Sequence, residues 1–233
     1  MRTRAIAAVV AALAMMAVGA AGAEAKLVKV TGSSTVAPSE QATQFLSNAG
    51  VSVSAVGAAT SGEEGFTFPV VAGFGDTKTY NGLLAHSGGL KFSKGGKSVV
   101  LRRFVAVRAG KLSVLLAQIP GARGGCGHIE RAARKFAKKH DRARYTTKWV
   151  RLHYPKAAKH VIKSVKRYCS QGRVVVLANL TNLGKSVEGS TATLTADLSL
   201  SAQAARLVNR VAGKKAVRKG APLGTATSTV TPG

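Results

Sequence analysis

Short apolar–polar alternations punctuated by glycine run through most of this chain, and they stop between Ile119 and Arg173. A period of two sends successive side chains to opposite faces of a strand, so such segments build sheets rather than helical bundles. Val51-Ser52-Val53-Ser54-Ala55 alternates strictly, and Phe66 to Val71 reads as a second strand. Shorter strands fall around Leu83-Leu84, Leu90 to Phe92, Lys97 to Val107 and Leu112 to Gln118, with Gly82, Gly88-Gly89, Gly95-Gly96 and Gly110 between them at hairpin intervals. Pro69 has no N–H to donate, which predicts a sheet edge or a strand end there. The pattern resumes at Arg173 to Ala178, Thr191 to Leu198 and Leu223 to Val230. Two helices are expected. The first starts at Pro38, carries Ala42, Phe45, Leu46 and Ala49, and stops at Gly50; the second is capped by Ser199 or Ser201, carries Ala205, Leu207, Val208 and Ala212, and stops at Gly213. The expectation is a mainly β fold, an antiparallel sheet or sandwich-like domain with two short helices, spanning residues 27–233 and interrupted at 121–172.

The interruption has a chemistry of its own. Of a net charge of +26, residues 121–173 carry +14, from sixteen Lys or Arg against Glu130 and Asp141. The same stretch holds both cysteines, four of the five histidines and the only Trp. Ile129, Ala132, Ala133 and Phe136 recur at helical spacing, as do Ala158, Val161, Ile162, Val165 and Tyr168 after Pro155. An antiparallel pair of such helices brings Cys126, just before the first, beside Cys169, at the end of the second. A disulfide closing that loop is worth about 4 kcal/mol by chain entropy, and a helix pair this small needs it. Residues 121–172 are therefore expected to form a disulfide-closed, basic helical hairpin.

Met1 to Arg4 supplies two positive charges, Ala5 to Val18 is uncharged, and small residues prepare a cleavage site at Ala21-Gly22-Ala23 or Ala23-Glu24-Ala25. That is the pattern of a secretory signal peptide over residues 1–23, and the apolar run falls short of the roughly 20 residues a membrane span needs. The expected product is secreted or held at the cell surface, where a disulfide persists.

The run Gly82-Leu83-Leu84-Ala85-His86-Ser87-Gly88-Gly89-Leu90 and the strands after it resemble exported actinobacterial HtaA-type domains. So do Thr195 to Asn209 and Lys219 to Ala226. The resemblance extends over most of residues 33–120 and 174–230. The resemblance implies a mainly β domain, and for some members haem bound through a Tyr ligand supported by a His. Residues 26–60, where that Tyr would fall, contain neither Tyr nor Trp, and Gly89 stands where the supporting His would. The pair nearest to that arrangement is Tyr80 and His86, whose bland reading is a surface strand and turn. No tight haem binding is expected.

Other chemistry is scarce. There is no C-x-x-C zinc pattern, no C-x-x-C-H haem attachment, no nucleotide-binding glycine loop and no G-x-S-x-G. Asp plus Glu number nine in the whole chain, too few and too scattered for an acid–base pair, so no enzyme is expected. Two binding functions follow. One is an exported, non-catalytic HtaA-like binding protein, related to haem at the cell surface. The alternative is a structural or adhesive envelope protein whose cationic insert holds anionic polymers or a membrane surface through Lys135, Lys138, Lys139, Arg142, Lys159, Lys163 and Lys166. Tyr145, Trp149 and Tyr154 give the insert a nucleic-acid-like look, but export turns it toward envelope anions.

Overall fold

The computed structural model of the chain describes residues 27–76, 82–109, 112–122 and 172–232. The expected signal segment, Tyr80, Cys126 and Cys169, and the whole hairpin with its seven cationic site residues lie outside the described residues. The described strands are β1 (Leu27–Pro38), β2 (Ser52–Val56), β3 (Thr60–Gly62), β4 (Gly65–Asp76), β5 (Gly82–His86), β6 (Gly89–Lys94), β7 (Lys97–Ala109), β8 (Leu112–Ile119), β9 (Arg173–Glu188), β10 (Thr191–Leu200) and β11 (Pro222–Pro232). The helices are α1 (Glu40–Ala49) and α2 (Ala202–Ala212).

All these strands belong to one antiparallel sheet, and it closes on itself. The ring runs β7-β5-β4-β1-β11-β10-β9-β8 and returns to β7 through the β7–β8 pairing. This corrects the sandwich-like expectation: there is one barrel-like sheet, not two facing layers. Closure depends on bending, and register shifts in β1–β4, β4–β5, β7–β8, β8–β9, β9–β10 and β10–β11 supply it. Sequence periodicity reports which face a side chain takes; it does not report where a sheet curls.

The longest strands are shared between partners. β4 pairs first with β3 (Thr60↔Thr67 to Gly62↔Gly65), then along the same edge with β5 (Val70↔His86 to Gly75↔Gly82). β7 likewise pairs with β6 up to Arg102 and with β5 from Val105 to Arg108. The sheet therefore forks at the end of β5. Pro69 sits on β4 in the gap between β3 and β5, with its carbonyl accepting from Ser87 N–H at 3.0 Å. Its missing N–H faces that gap, so a proline is tolerated in the middle of an internal strand rather than at the predicted edge. Arg103 takes φ 53° at the same fork, and its N–H donates to the Gly88 carbonyl at 3.2 Å.

Periodicity missed β1, whose Gly32-Ser33-Ser34-Thr35 run is polar, and the short β3. β1 is nonetheless central, paired with β4 on one side and β11 on the other. At Gly32 and Gly224 the β1 and β11 backbones come so close that a Cβ would lie 2.0 Å from the Thr229 oxygen and 1.9 Å from the Ala37 oxygen. Small side chains at these points let two backbones pack without a gap.

Both helices start at the same end of the barrel, following Pro38 of β1 and Leu200 of β10. Ser39 caps α1 by accepting from Ala42 N–H at 3.1 Å, and Gly50 ends it in the left-handed region at φ 64°. Ser201 rather than Ser199 caps α2, accepting from Ala204 N–H at 3.0 Å while its hydroxyl donates to the Val176 carbonyl. The helix C-termini meet through Ala49, Val51, Val211 and Ala212. Inside the barrel, Phe68, Leu101, Phe104, Ala117 and Val175 form the main core, and Val30, Val70, Leu84 and Val230 form a second layer farther from the helices.

Candidate functional site

The barrel surrounds a cavity of about 500 Å³, partly open to solvent and within the range that small-molecule sites occupy. Alternate residues of the strands face it: Val30, Ser34 and Val36 from β1, Leu84 and His86 from β5, Phe104 and Ala106 from β7. α1 and α2 contribute Phe45 and Leu207, so the helix end has an apolar floor. The lining is mostly Val, Leu, Phe and Ala.

One polar belt crosses this lumen. Ser34 of β1 pairs in register with Ser228 of β11, and their hydroxyls are 2.7 Å apart. Ser34 Oγ also lies 2.8 Å from His86 Nε2, and His86 Nδ1 lies 3.2 Å from the Phe104 carbonyl oxygen. A carbonyl only accepts, so Nδ1 carries the proton and Nε2 is the acceptor. Ser34 must then donate to Nε2, which leaves its oxygen to accept from Ser228. The relay runs Ser228 to Ser34 to His86 to Phe104, and each member satisfies the next. The Phe68 ring packs edge-on against His86 at 6.5 Å and against Phe104 at 5.0 Å.

His86 is thus not the surface residue of the bland sequence reading. It is 5 % exposed. Burial drives its pKa down from 6.5 to about 4, with the hydrogen bond to Phe104 opposing in part. At neutral pH the imidazole is uncharged, as a closed polar belt in an apolar barrel requires. Ser34 and Ser228 were absent from the sequence-derived site. The available signal was weak: two serines in small-residue runs, brought together only by the β1–β11 register.

An antiparallel barrel with an apolar lumen, a helical floor and a self-satisfied polar belt has room for a small molecule between its strands. The fold is that of the HtaA-type domain. The chain superposes on the C-terminal domain of HtaA from Corynebacterium glutamicum with a TM-score of 0.52 and 13% identity, covering 90% of this chain and 100% of that one. For the N-terminal domain of HtaA from the same organism the TM-score is 0.50 at 14% identity, over 87% of this chain and 97% of that one. The haem-binding protein HtaB of C. glutamicum gives 0.47 at 12% identity, over 90% and 98%. No family model matches the sequence, and no curated protein matches it.

The sequence resemblance and the fold agree, which makes haem the ligand to test against the site. The described residues fit the apolar part of such a ligand. They do not fit iron coordination. Among them the only Tyr, Cys, Met or His side chain is His86, and both its ring nitrogens are committed within the belt. Of the Tyr80–His86 pair, His86 lies in the lumen and Tyr80 lies outside the described residues.

Proposed function

We propose that this chain is an exported, non-catalytic binding protein that holds an apolar small molecule in its barrel lumen. The observation that carries the reading is the lumen itself, a largely apolar space, partly open to solvent, whose polar belt needs nothing from the ligand. A general base works best with a pKa near the operating pH; that of His86 is lowered to about 4, and both its ring nitrogens are engaged within the belt. Export rests on the leader pattern at the N-terminus. The clustered charge of the insert adds attraction to anionic envelope polymers, which charge alone supports.

Binding of the neutral fluorophore N-phenylnaphthylamine tests the site. It is expected to bind with one-to-one stoichiometry, and Ala192→Phe, which fills the lumen from β10, is expected to weaken it roughly tenfold or more while the protein still melts cooperatively. Undiminished binding in Ala192→Phe would move the site out of the barrel. Haemin titration supplies the second readout. Any Soret band is expected to be unchanged by His86→Ala, and a band lost in that variant would restore His86 as an iron ligand.

The barrel is proposed to be complete without the insert. Ile119 and Arg173 are register partners at the ends of β8 and β9, so a tight turn can join the two strands. Replacing Gly124 to Gln171 with a short Gly/Ser linker is expected to leave a single cooperative thermal transition and N-phenylnaphthylamine affinity within about twofold. Loss of the transition would place the insert in the folding unit.

A further inference from the structure

Among the described residues, Arg108 is the one lumen side chain with a buried polar atom, Nε, that has no hydrogen-bond partner. It lies on β7, in register with Gly82 of β5 and Ser113 of β8, and on the same face as Ala106, which pairs with Leu84. That face is the lumen, and Arg108 lines it. Its level is the end of the barrel opposite the helices, since β5 starts and β7 finishes there. Among the described residues lining the cavity, no Asp, Glu or Lys accompanies it. Its Nε–H is buried and has no hydrogen-bond partner.

A buried guanidinium N–H without an acceptor costs free energy that a folded chain ordinarily avoids. Arginine stays ionised under all ordinary conditions, so the group cannot escape by losing its proton. The lumen therefore offers a fixed positive donor at one end, a neutral closed belt in the middle and an apolar floor at the other. The belt makes no demand on what passes it, because His86, Ser34 and Ser228 satisfy one another.

We infer that the ligand is an apolar molecule bearing a carboxylate, with the carboxylate on Arg108 and the apolar body running past the belt toward α1 and α2. This rests on the lumen being the binding site and adds the ligand's charge and direction. The carboxylate satisfies Nε–H and is matched to the guanidinium fork. Both an acyl-chain acid and a metal-free porphyrin acid present this chemistry.

The test compares each acid with its ester. Parinaric acid and parinaric methyl ester probe the acyl form by fluorescence; protoporphyrin and its dimethyl ester probe the planar form. At least one acid is expected to bind roughly 10- to 100-fold tighter than its ester, the span of a charge-assisted hydrogen bond. Whichever pair shows the preference identifies the body. Arg108→Gln is expected to abolish the preference while leaving ester and N-phenylnaphthylamine binding within about threefold. Arg108→Leu is expected to keep or raise the thermal midpoint of the free protein, because it removes a buried N–H that has no acceptor; a marked fall would show Arg108 to be a structural anchor and overturn the inference. Equal binding of acid and ester in the native protein would also overturn it while the lumen reading stands. Failure of every probe, the neutral fluorophore included, would remove the lumen reading itself.

Discussion

Gly224→Ala is expected to destabilise the barrel by about 4 kcal/mol or more, one of the larger single-residue effects open to this chain. The added Cβ would sit 1.9 Å from the Ala37 carbonyl oxygen and 2.9 Å from Pro38 Cα. Those are backbone atoms of β1, with no rotamer to yield. Gly224 also has φ 137°, a conformation that an L side chain resists. The register pairing Gly224↔Pro38 lies four residues from Ser228↔Ser34, so a shift of β11 away from β1 would also open the polar belt. Gly189→Ala is the control: φ is 58° there and nothing lies within 4 Å of the new Cβ, so only about 1 kcal/mol is expected. Urea unfolding of the two variants measures the contrast. Similar midpoints would mean that β1 and β11 are not held as closely as their geometry describes.

Acid is expected to weaken the fold through His86. Above pH 6.5 the imidazole is neutral in both the folded and unfolded chain, and this residue contributes no pH dependence. Between 6.5 and about 4 the unfolded chain takes up a proton that the buried ring refuses. Stability then falls as pH falls, by about 1.4 kcal/mol per unit, reaching about 3 kcal/mol near pH 4. Protonation would also place a donor on Nε2, where Ser34 already donates, and so reverse the relay. His86→Gln carries no ionisable group and is expected to lose this part of the slope, at the cost of a lower stability at pH 7. Unfolding free energies at pH 7, 6, 5 and 4 for the two proteins decide the matter. Parallel curves would mean that the ring titrates normally and is hydrated in the folded state.

The two residues bear on the lumen in different ways. Gly224 sets how closely β1 and β11 approach, and hence the Ser34–Ser228 distance. His86 sets the charge of the belt. With the ring neutral, the only formal charge lining the described lumen is that of Arg108. An acid-loosened barrel would release a lumen ligand in the same pH window, and unfolding and release should track each other.

Much of the β architecture could be read in advance. The strict alternation of Val51 to Ala55 became β2, the glycine-bounded segments became β5 to β8, and both helices were located by their glycine stops, the second also by its serine cap, while the expected start of the first at Pro38 gave way to a cap at Ser39. These signals are local: a pleated backbone and a helix cap depend on residues a few positions apart. The resemblance carried in Gly82 to Leu90 also pointed to the right fold, and it contains the one sequence-derived site residue that the structure places in the lumen, His86. Closure of the sheet was not local. It is decided by bulges, by β4 and β7 each serving two neighbours, and by the β7–β8 pairing, none of which leaves a periodic mark. β1 escaped notice for a related reason. Its Gly-Ser-Ser-Thr run has low apolar content because the backbones of β4 and β11 press against it, and close approach selects small residues over hydrophobic ones. The site followed the same division. Sequence alone named the histidine, whereas its burial, its lowered pKa, the serines 52 and 142 positions away in sequence, and the unsatisfied Arg108 Nε–H on the neighbouring strand exist only once distant strands are laid side by side.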